Sequence, residues 1–455
     1  MSDVSEELLP ATRRALDVRL ARGQAEGRAP SMAAGVVRDG RLVWSGGRGR
    51  VDGAEPTPDT QYRIGSITKT FVAVLVLRLR DEGRLDLGDR LEQHLPGTGA
   101  GDRTVLQLLS HTAGIAAETP APWWERTAGE LRPELADLLA DDPVKHLAGR
   151  RFHYSNPGYA LLGALVGRLR GRAWDEVLRT EVLEPLGMTR TTPRPAAPHA
   201  RGWAVHPWAD VLLPEPAHDA GLMGPAGQLW STVTDLSRFT AFLLEGDDRV
   251  LARSSVTEMR EPVAPSGPGA GYGLGLQERG GPRRLVGHGG SMPGFLAQLG
   301  CAVDDGLGVI VLANATAGPD VGGVAADLVD VVAEAEPRPP APWVPLAGVD
   351  AELLALTGPW YWGAAPFALR LRSERGLELA TLSERGRESR FRPSGDGTWT
   401  GLDGYYSGET LRVVRDGTGR VSHLDLGSFV LTRAPYPPGS VVPGGVSDAW
   451  AGERA

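Results

Sequence analysis

The chain has 455 residues, more than one ordinary hydrophobic core holds, and so reads as two domains. It is 41% hydrophobic and 23% charged with a net charge of −8, the balance of a soluble globular protein without the basic surface that nucleic acid requires. Its one cysteine, Cys301, rules out an internal disulfide and reads as core filling in an apolar run. The opening residues, Met1 to Glu7, are acidic and lack the basic start and apolar core of a secretory leader. The most apolar run, residues 71–77, falls far short of the roughly 20 residues that cross a bilayer. A cytoplasmic protein with no membrane attachment is expected.

Leucines and alanines at helical spacing predict an amphipathic helix over residues 8–25. Two strands, 33–37 and 41–44, follow around Asp39-Gly40, a hairpin signal. Helices are predicted over 66–81, 158–170 and 235–244. From residue 272 the period changes, and strands are predicted at 272–276, 284–287, 296–303 and 307–312, the last two joined by the turn Asp304-Asp305-Gly306. Strands at both ends of a region with helices between them indicate an α+β domain. Prolines 337, 339, 340, 342 and 345 then mark an extended linker. Alternating runs at 367–372, 377–382, 411–414 and 424–432 indicate an all-β barrel or sandwich. The expected domains are 1–335, a linker at 336–348, and 349–455.

Three segments carry chemistry. In Ser66-Ile67-Thr68-Lys69, a serine at a helix start has a lysine three residues on, on the same face. A hydroxyl becomes a useful nucleophile when a neighbouring base takes its proton, and a helix start offers unpaired N–H groups to a developing anion. In Tyr154-Ser155-Asn156, followed by Pro157-Gly158, a tyrosine beside a lysine could share one proton with it in a dry cleft. In Gly287-His288-Gly289-Gly290-Ser291, a histidine stands among glycines at a predicted strand end. Glycine provides no packing, so a core histidine is not expected there, and Gly289 and Gly290 would let a substrate backbone approach. The N–H groups of Ser66 and Ser291 could together form an oxyanion site.

Ser-x-x-Lys, Tyr-x-Asn and His-x-Gly in this order resemble the serine penicillin-binding-protein and class C β-lactamase superfamily. Two supporting segments fit the same pattern: 108–114, which contains Ser110-His111-Thr112-Ala113-Gly114, and 226–232, followed by Asp235-Leu236. The resemblance covers residues 8–332. It implies an antiparallel sheet flanked by helices with a helical subdomain. It also implies Ser66 as acylated nucleophile, Lys69 as its proton partner, Tyr154 as general base, and Asn156 as holder of Lys69 and the substrate amide. His288 stands where many members carry lysine, which weakens recognition of a carboxylate by a fixed charge. His111 is expected to support a loop away from the three motifs. His199, His206 and His218 lie in a proline-rich stretch and do not suggest a metal site.

The second domain parallels superfamily members that append a lipocalin-like barrel, among them stand-alone penicillin-binding-protein-type thioesterases that release and cyclise non-ribosomal peptides. D-aminopeptidase-like and esterase members also carry such barrels. The resemblance thus implies an acyl-enzyme serine hydrolase or acyltransferase on peptidyl esters or thioesters, with peptide cyclisation favoured and plain hydrolysis the alternative. A non-catalytic peptide-binding protein is the rival of another class. No metal or organic cofactor is implied, and the expected partner is a peptidyl substrate, which a carrier protein would present as a thioester. Arg433, at the end of the last predicted strand, could grip a peptide carboxylate or carbonyl. Trp123 and Trp124 could line a peptide groove or pack their own loop.

Overall fold

The computed structural model describes residues 8–131, 134–339, 342–348 and 350–436. They form two compact units, Met1–Pro339 and Pro340–Ala455.

The first unit is built on an eight-stranded antiparallel sheet. Its strands are β1 (Ser31–Arg38), β2 (Arg41–Gly49), β3 (Ala264–Gly267), β4 (Ala270–Tyr272), β5 (Gln277–Arg279), β6 (Leu285–Met292), β7 (Phe295–Ala302) and β8 (Leu307–Ala313). The order across the sheet is β2-β1-β8-β7-β6-β5-β4-β3. The first hairpin turns at Asp39 and Gly40, both at positive φ, as a tight two-residue turn requires. Pairing of β1 with β8 brings two distant parts of the chain together at the middle of the sheet.

Alternation of side chains divides these central strands between two cores. Ala34, Val36, Val309 and Val311 pack with Leu16 and Leu20 of helix α1 (Pro10–Glu26). Ala33, Val37, Ile310 and Leu312 belong to the larger core on the opposite face. That core contains helix α2 (Thr68–Asp81), helix α3 (Asn156–Arg170) and helix α4 (Val233–Glu245). Helix α2 is enclosed: every residue from Thr68 to Leu77 is buried, and Phe71 stacks on Phe239 of α4 at 3.8 Å between ring centroids. A fifth helix, α5 (Val321–Ala335), packs with α1 and was not expected from the pattern.

Three expected elements change. The strand foreseen over 272–276 breaks after Tyr272, because Gly275 at φ +75° bends the chain onto α2. There the Thr70 hydroxyl donates to the Gly275 carbonyl at 2.8 Å, and a Cβ on Gly275 would come within 2.4 Å of the Ala73 methyl. Strand β6 runs past Gly287 to Met292, so His288 to Ser291 lie within a strand rather than at its end. Helix α3 begins at Asn156, two residues early, because the Ser155 hydroxyl caps the Gly158 N–H at 3.1 Å.

The second unit opens with helix α6 (Ala351–Leu356), capped by Asp350. Eight strands follow: β9 (Gly358–Trp362), β10 (Ala365–Leu371), β11 (Leu377–Thr381), β12 (Ser389–Pro393), β13 (Thr398–Gly401), β14 (Thr410–Arg415), β15 (Val421–Leu426) and β16 (Phe429–Leu431). Each pairs with the next. Tyr361 and Thr432 exchange backbone hydrogen bonds of 2.8 and 2.9 Å, so the meander closes nearly into a barrel. Trp360, Phe367, Phe391, Trp399 and Tyr406 fill its interior.

Arg433 has a different place from the one foreseen. Its guanidinium lies 4.1 Å over the Trp360 ring and donates to the carbonyls of Ala355, Thr357 and Pro359. Its donors are engaged in closing the barrel on the end of α6, which removes the basis for a free substrate-gripping arginine. Arg433→Ala is expected to cost roughly 1–2 kcal/mol, the sum of a few partly exposed hydrogen bonds and a stacked cation. Denaturant unfolding of the full chain measures this, and Arg433→Lys should recover only part, since an ammonium cannot fork across three carbonyls.

Candidate active site

Gly65, at φ +52°, turns the chain out of a short strand and into the helical turn Gly65–Ile67, from which α2 continues. This places Ser66 at the opening of a helix, with Lys69 one turn on. The Lys69 ammonium nitrogen lies 2.9 Å from the Ser66 Oγ and 2.7 Å from the Ala226 carbonyl oxygen. It is fully buried, and among the described residues no carboxylate lies within hydrogen-bond reach of it. Burial therefore pushes its pKa down to about 7, partly opposed by the more distant carboxylates of Glu118 and Glu125. A useful fraction of this amine is neutral at neutral pH.

The Lys69 nitrogen lies 4.9 Å from the Tyr154 ring centroid, and Tyr154 is near enough to Ser66 for the serine to favour its ionised form. Burial raises the Tyr154 pKa despite the Ser66 contact, so its hydroxyl stays protonated. The two groups that were expected to share one proton are thus set apart, burial lowering the lysine and raising the tyrosine.

Two amides complete the nucleophile's surroundings. Ser66 opens a helical turn, where the first N–H groups lack acceptors within the helix. Met292 and Phe295 pair across the two-residue turn Pro293-Gly294, so the alternation of the ladder turns the Ser291 N–H away from β7. The two segments touch: a Cβ on Gly65 would meet the Ser291 nitrogen at 2.6 Å. A Cβ on Gly290 would lie 1.9 Å from the Ile64 carbonyl oxygen and 3.3 Å from the Ser66 nitrogen. Gly290 is thus required by close packing of β6 on the nucleophile turn. Gly289 is less crowded, its nearest neighbour being the Gln298 side chain at 3.3 Å.

Asn156 departs from its expected role. Its amide donates to the Glu118 carboxylate at 2.7 Å, and the second oxygen of Glu118 accepts from the Trp124 indole at 2.8 Å. The place expected for Asn156 beside Lys69 is taken by the Ala226 carbonyl. The two tryptophans also part company. Trp124 is 5% exposed and locked to Glu118, whereas Trp123 is 59% exposed, with Arg126 over its ring at 4.7 Å. Arg126 is itself ion-paired with Glu215.

His288 is a core histidine after all, at 1% exposure. The Tyr272 hydroxyl lies 3.1 Å from its Nε2 and the Gly289 carbonyl faces its Nδ1. The glycines beside it supply no packing, but Tyr272 on β4 and Tyr154 do, at ring distances of 5.9 and 6.3 Å. Burial, reinforced by the nearby Lys69, pushes its pKa down to about 3, so it brings no positive charge.

With that geometry in view, the similarities of the chain fall into place. The beta-lactamase family model matches residues 16–334. The chain belongs to the beta-lactamase family. A model described as a domain of unknown function, DUF7586, matches residues 349–433. Penicillin-binding protein 4 of Amycolatopsis lactamdurans is 32% identical over 52% of the chain and 66% of its own length. Protein flp of Staphylococcus aureus is 25% identical over 64% of the chain and 60% of its own length. The chain thus spans about two thirds or less of these curated relatives. Among solved structures, SurE is 28% identical with a TM-score of 0.60, covering 93% of this chain and 99% of its own. A D-stereospecific amidohydrolase from Streptomyces sp. is 28% identical with a TM-score of 0.59, covering 72% of this chain and 99% of its own. Family model, curated relatives and solved structures thus agree on the beta-lactamase and penicillin-binding-protein superfamily. Among the described residues no helix is long and apolar enough to cross a membrane.

Sequence reasoning missed several groups around Ser66. Ala226 acts through its backbone, and its only signal was the family-like segment that begins there. Glu118 lies four residues past that other supporting segment, with nothing local to mark it. Tyr159 is not singled out by the sequence, Tyr272 only opens a predicted strand, and His111 reads as a remote loop support. Replacing Gly290 by alanine tests how tightly the site is built. The variant is expected to lose about 10²–10³-fold in the rate of Ser66 labelling by a fluorophosphonate, the effect of losing one oxyanion donor. Circular dichroism should show the fold retained.

Proposed function

We propose that the chain forms an acyl-enzyme at Ser66 with peptidyl esters or thioesters and passes the acyl group to an amine of the same peptide, releasing a macrocycle. The observation that carries the acyl-enzyme step is the buried amine of Lys69, 2.9 Å from the Ser66 hydroxyl and titrating near neutrality. As Ser66 Oγ bonds to the carbonyl carbon, neutral Lys69 takes the hydroxyl proton. The N–H groups of Ser66 and Ser291 receive the carbonyl oxygen as it becomes an anion. Tyr154 gives its proton to the departing group and regains one from Lys69. In the second half an amine attacks the ester carbonyl, its proton passes to this pair, and Ser66 leaves with a proton restored.

Two features support an amine as second nucleophile. Glu118 and Glu125 place negative charge within electrostatic range of Lys69, while His288 adds none. Such a pocket favours an ammonium-bearing segment over a carboxylate. The second feature is the likeness to SurE, which extends over 93% of the chain, beyond the first unit alone, and fits the resemblance to stand-alone penicillin-binding-protein-type thioesterases. A structure of SurE holds D-Leu, which supports a D-configured residue at the acyl position. A carrier protein presenting the peptide as a thioester is the partner this reading asks for. Hydrolysis is the second reading, favoured by the likeness of the first unit to the D-stereospecific amidohydrolase.

A peptidyl thioester analogue ending in a D-residue separates the two. Cyclisation yields a product lighter than the linear acid by one water, and exclusive linear acid from an enzyme acylated at Ser66 would refute the cyclase reading. Ser66→Ala should abolish both products. Because the base must be neutral, kcat/KM is expected to rise with pH and reach half its plateau near pH 7. Lys69→Arg, charged throughout, should lose at least about 10²-fold at every pH.

A further inference from the structure

We infer that His111 is a positioning residue for the Ser66 chemistry: its neutral imidazole fixes the Tyr154–Asn156 turn and seals the pocket that keeps Lys69 dry. This rests on the acyl-enzyme reading of Ser66, Lys69 and Tyr154.

The ring packs tilted against Tyr154, at 4.2 Å between centroids and 35° between planes. Tyr159 and Tyr272 enclose it at 5.1 and 4.8 Å, and Phe152 closes the edge at 5.8 Å. Its Nδ1 accepts the backbone N–H of Ser155 at 3.0 Å, and its own carbonyl accepts the N–H of His153 at 2.7 Å. His111 therefore holds the backbone on both sides of Tyr154 and the ring between them. Since Nδ1 is the acceptor, the neutral ring carries its proton on Nε2. That Nε2 is buried and finds no acceptor among the described residues. The residue also sits at φ +56°, in the left-handed region where Asn, Asp and His are enriched. A loop support has no use for an orphaned buried donor. A phenylalanine would fill the same space without the unmet proton. What it would lack is the acceptor for Ser155.

The electrostatic surroundings require the ring to stay neutral. Burial most of all, and then Lys69 on α2, disfavours a positive charge at His111; the imidazoles of His288 on β6 and His153 beside Tyr154 would add to this when protonated. The groups facing Lys69 are Ser66, Tyr154, Tyr159, His111 and His288, with Glu118 and Glu125 beyond. The amine lies beside the Tyr154 and Tyr159 rings, and His111 backs both of those rings at 4.2 and 5.1 Å. Removing the ring should admit water, relieve the desolvation of Lys69 and raise its pKa toward the ordinary lysine value.

Two variants divide the two functions. His111→Asn retains an acceptor near Nδ1 and suits the positive φ, but deletes the ring. His111→Phe keeps the ring and deletes the acceptor. The measurement is kcat and KM for a thioester substrate from pH 6 to 10, on the full chain, with thermal unfolding as the fold check. His111→Asn should show an acid limb displaced upward by one pH unit or more, with activity low at pH 7 and largely recovered at pH 9. His111→Phe should keep the limb near that of the parent and lose about 10²-fold in kcat at all pH values, as expected of a misplaced proton donor. KM should change little in either. A limb unmoved in His111→Asn, with kcat within twofold of the parent for both folded variants, would overturn the inference. If instead the unmodified enzyme shows no acylation at Ser66, the acyl-enzyme reading fails, and this inference with it.

Discussion

The site depends on an amine buried without a countercharge. An ammonium in that position would ordinarily be paired or excluded, because removing a charge from water costs far more than one hydrogen bond returns. Here Lys69 has a hydroxyl and a carbonyl as its close partners, and both carboxylates stay at a distance. The chain holds it there by enclosing α2 from Thr68 to Leu77. The stacking of Phe71 on Phe239, the docking of Gly275 on Ala73 and the carbonyl of Ala226 all serve that enclosure. The extended core of the first unit is thus the means by which one pKa is set.

A second constraint concerns how three distant segments keep register around one oxygen. The link runs through the backbone of residues 110–118. Ser155 donates through its N–H to His111 and through its hydroxyl to Ala116, and the Asn156 N–H donates to Ala117. The Asn156 side chain and the Trp124 indole then clamp Glu118. The segment braces the tyrosine turn along its whole length, which explains its presence among the family-like motifs although none of its side chains touches Ser66. On the other side, β6 fits against the nucleophile turn only because Gly65 and Gly290 lack side chains.

Much of this was legible in the sequence. Hairpin chemistry at Asp39-Gly40, the apolar stretch after Ser66 and the alternating strands after the proline run all appear near their expected positions, because local period and turn residues decided them. The approach of Ser66 and Lys69 follows from i, i+3 spacing alone. What was hidden was set by tertiary packing. The strand that ends at Tyr272 reads as alternating further on, and only the contact of Gly275 with α2 bends it. His288 looks solvent-facing because its chain neighbours are glycines, yet Tyr272 from another strand covers it. Arg433 looks free because the carbonyls it binds lie more than seventy residues away. Asn156 matched a motif, but its partner depended on where Glu118 falls in a segment without periodicity.

These observations join activity to stability through one proton. A buried amine titrating near 7, in a chain whose unfolded form holds it charged to about pH 10.4, makes the folded state bind fewer protons than the unfolded one across that window. Stability therefore falls as pH drops from the upper value toward the lower, and the full penalty is present below it. The same proton disables the base. Partial relief could come from an anionic partner beside Lys69, but a close carboxylate would raise its pKa and remove the neutral amine that the chemistry needs. Holding Glu118 and Glu125 at a distance is a compromise between these demands, and the Asn156 and Trp124 contacts are what keep Glu118 there. A neutral His288 fits the same logic. A second cation at that position would repel the protonated state further, and the pocket tolerates a histidine because burial prevents it from ever becoming one.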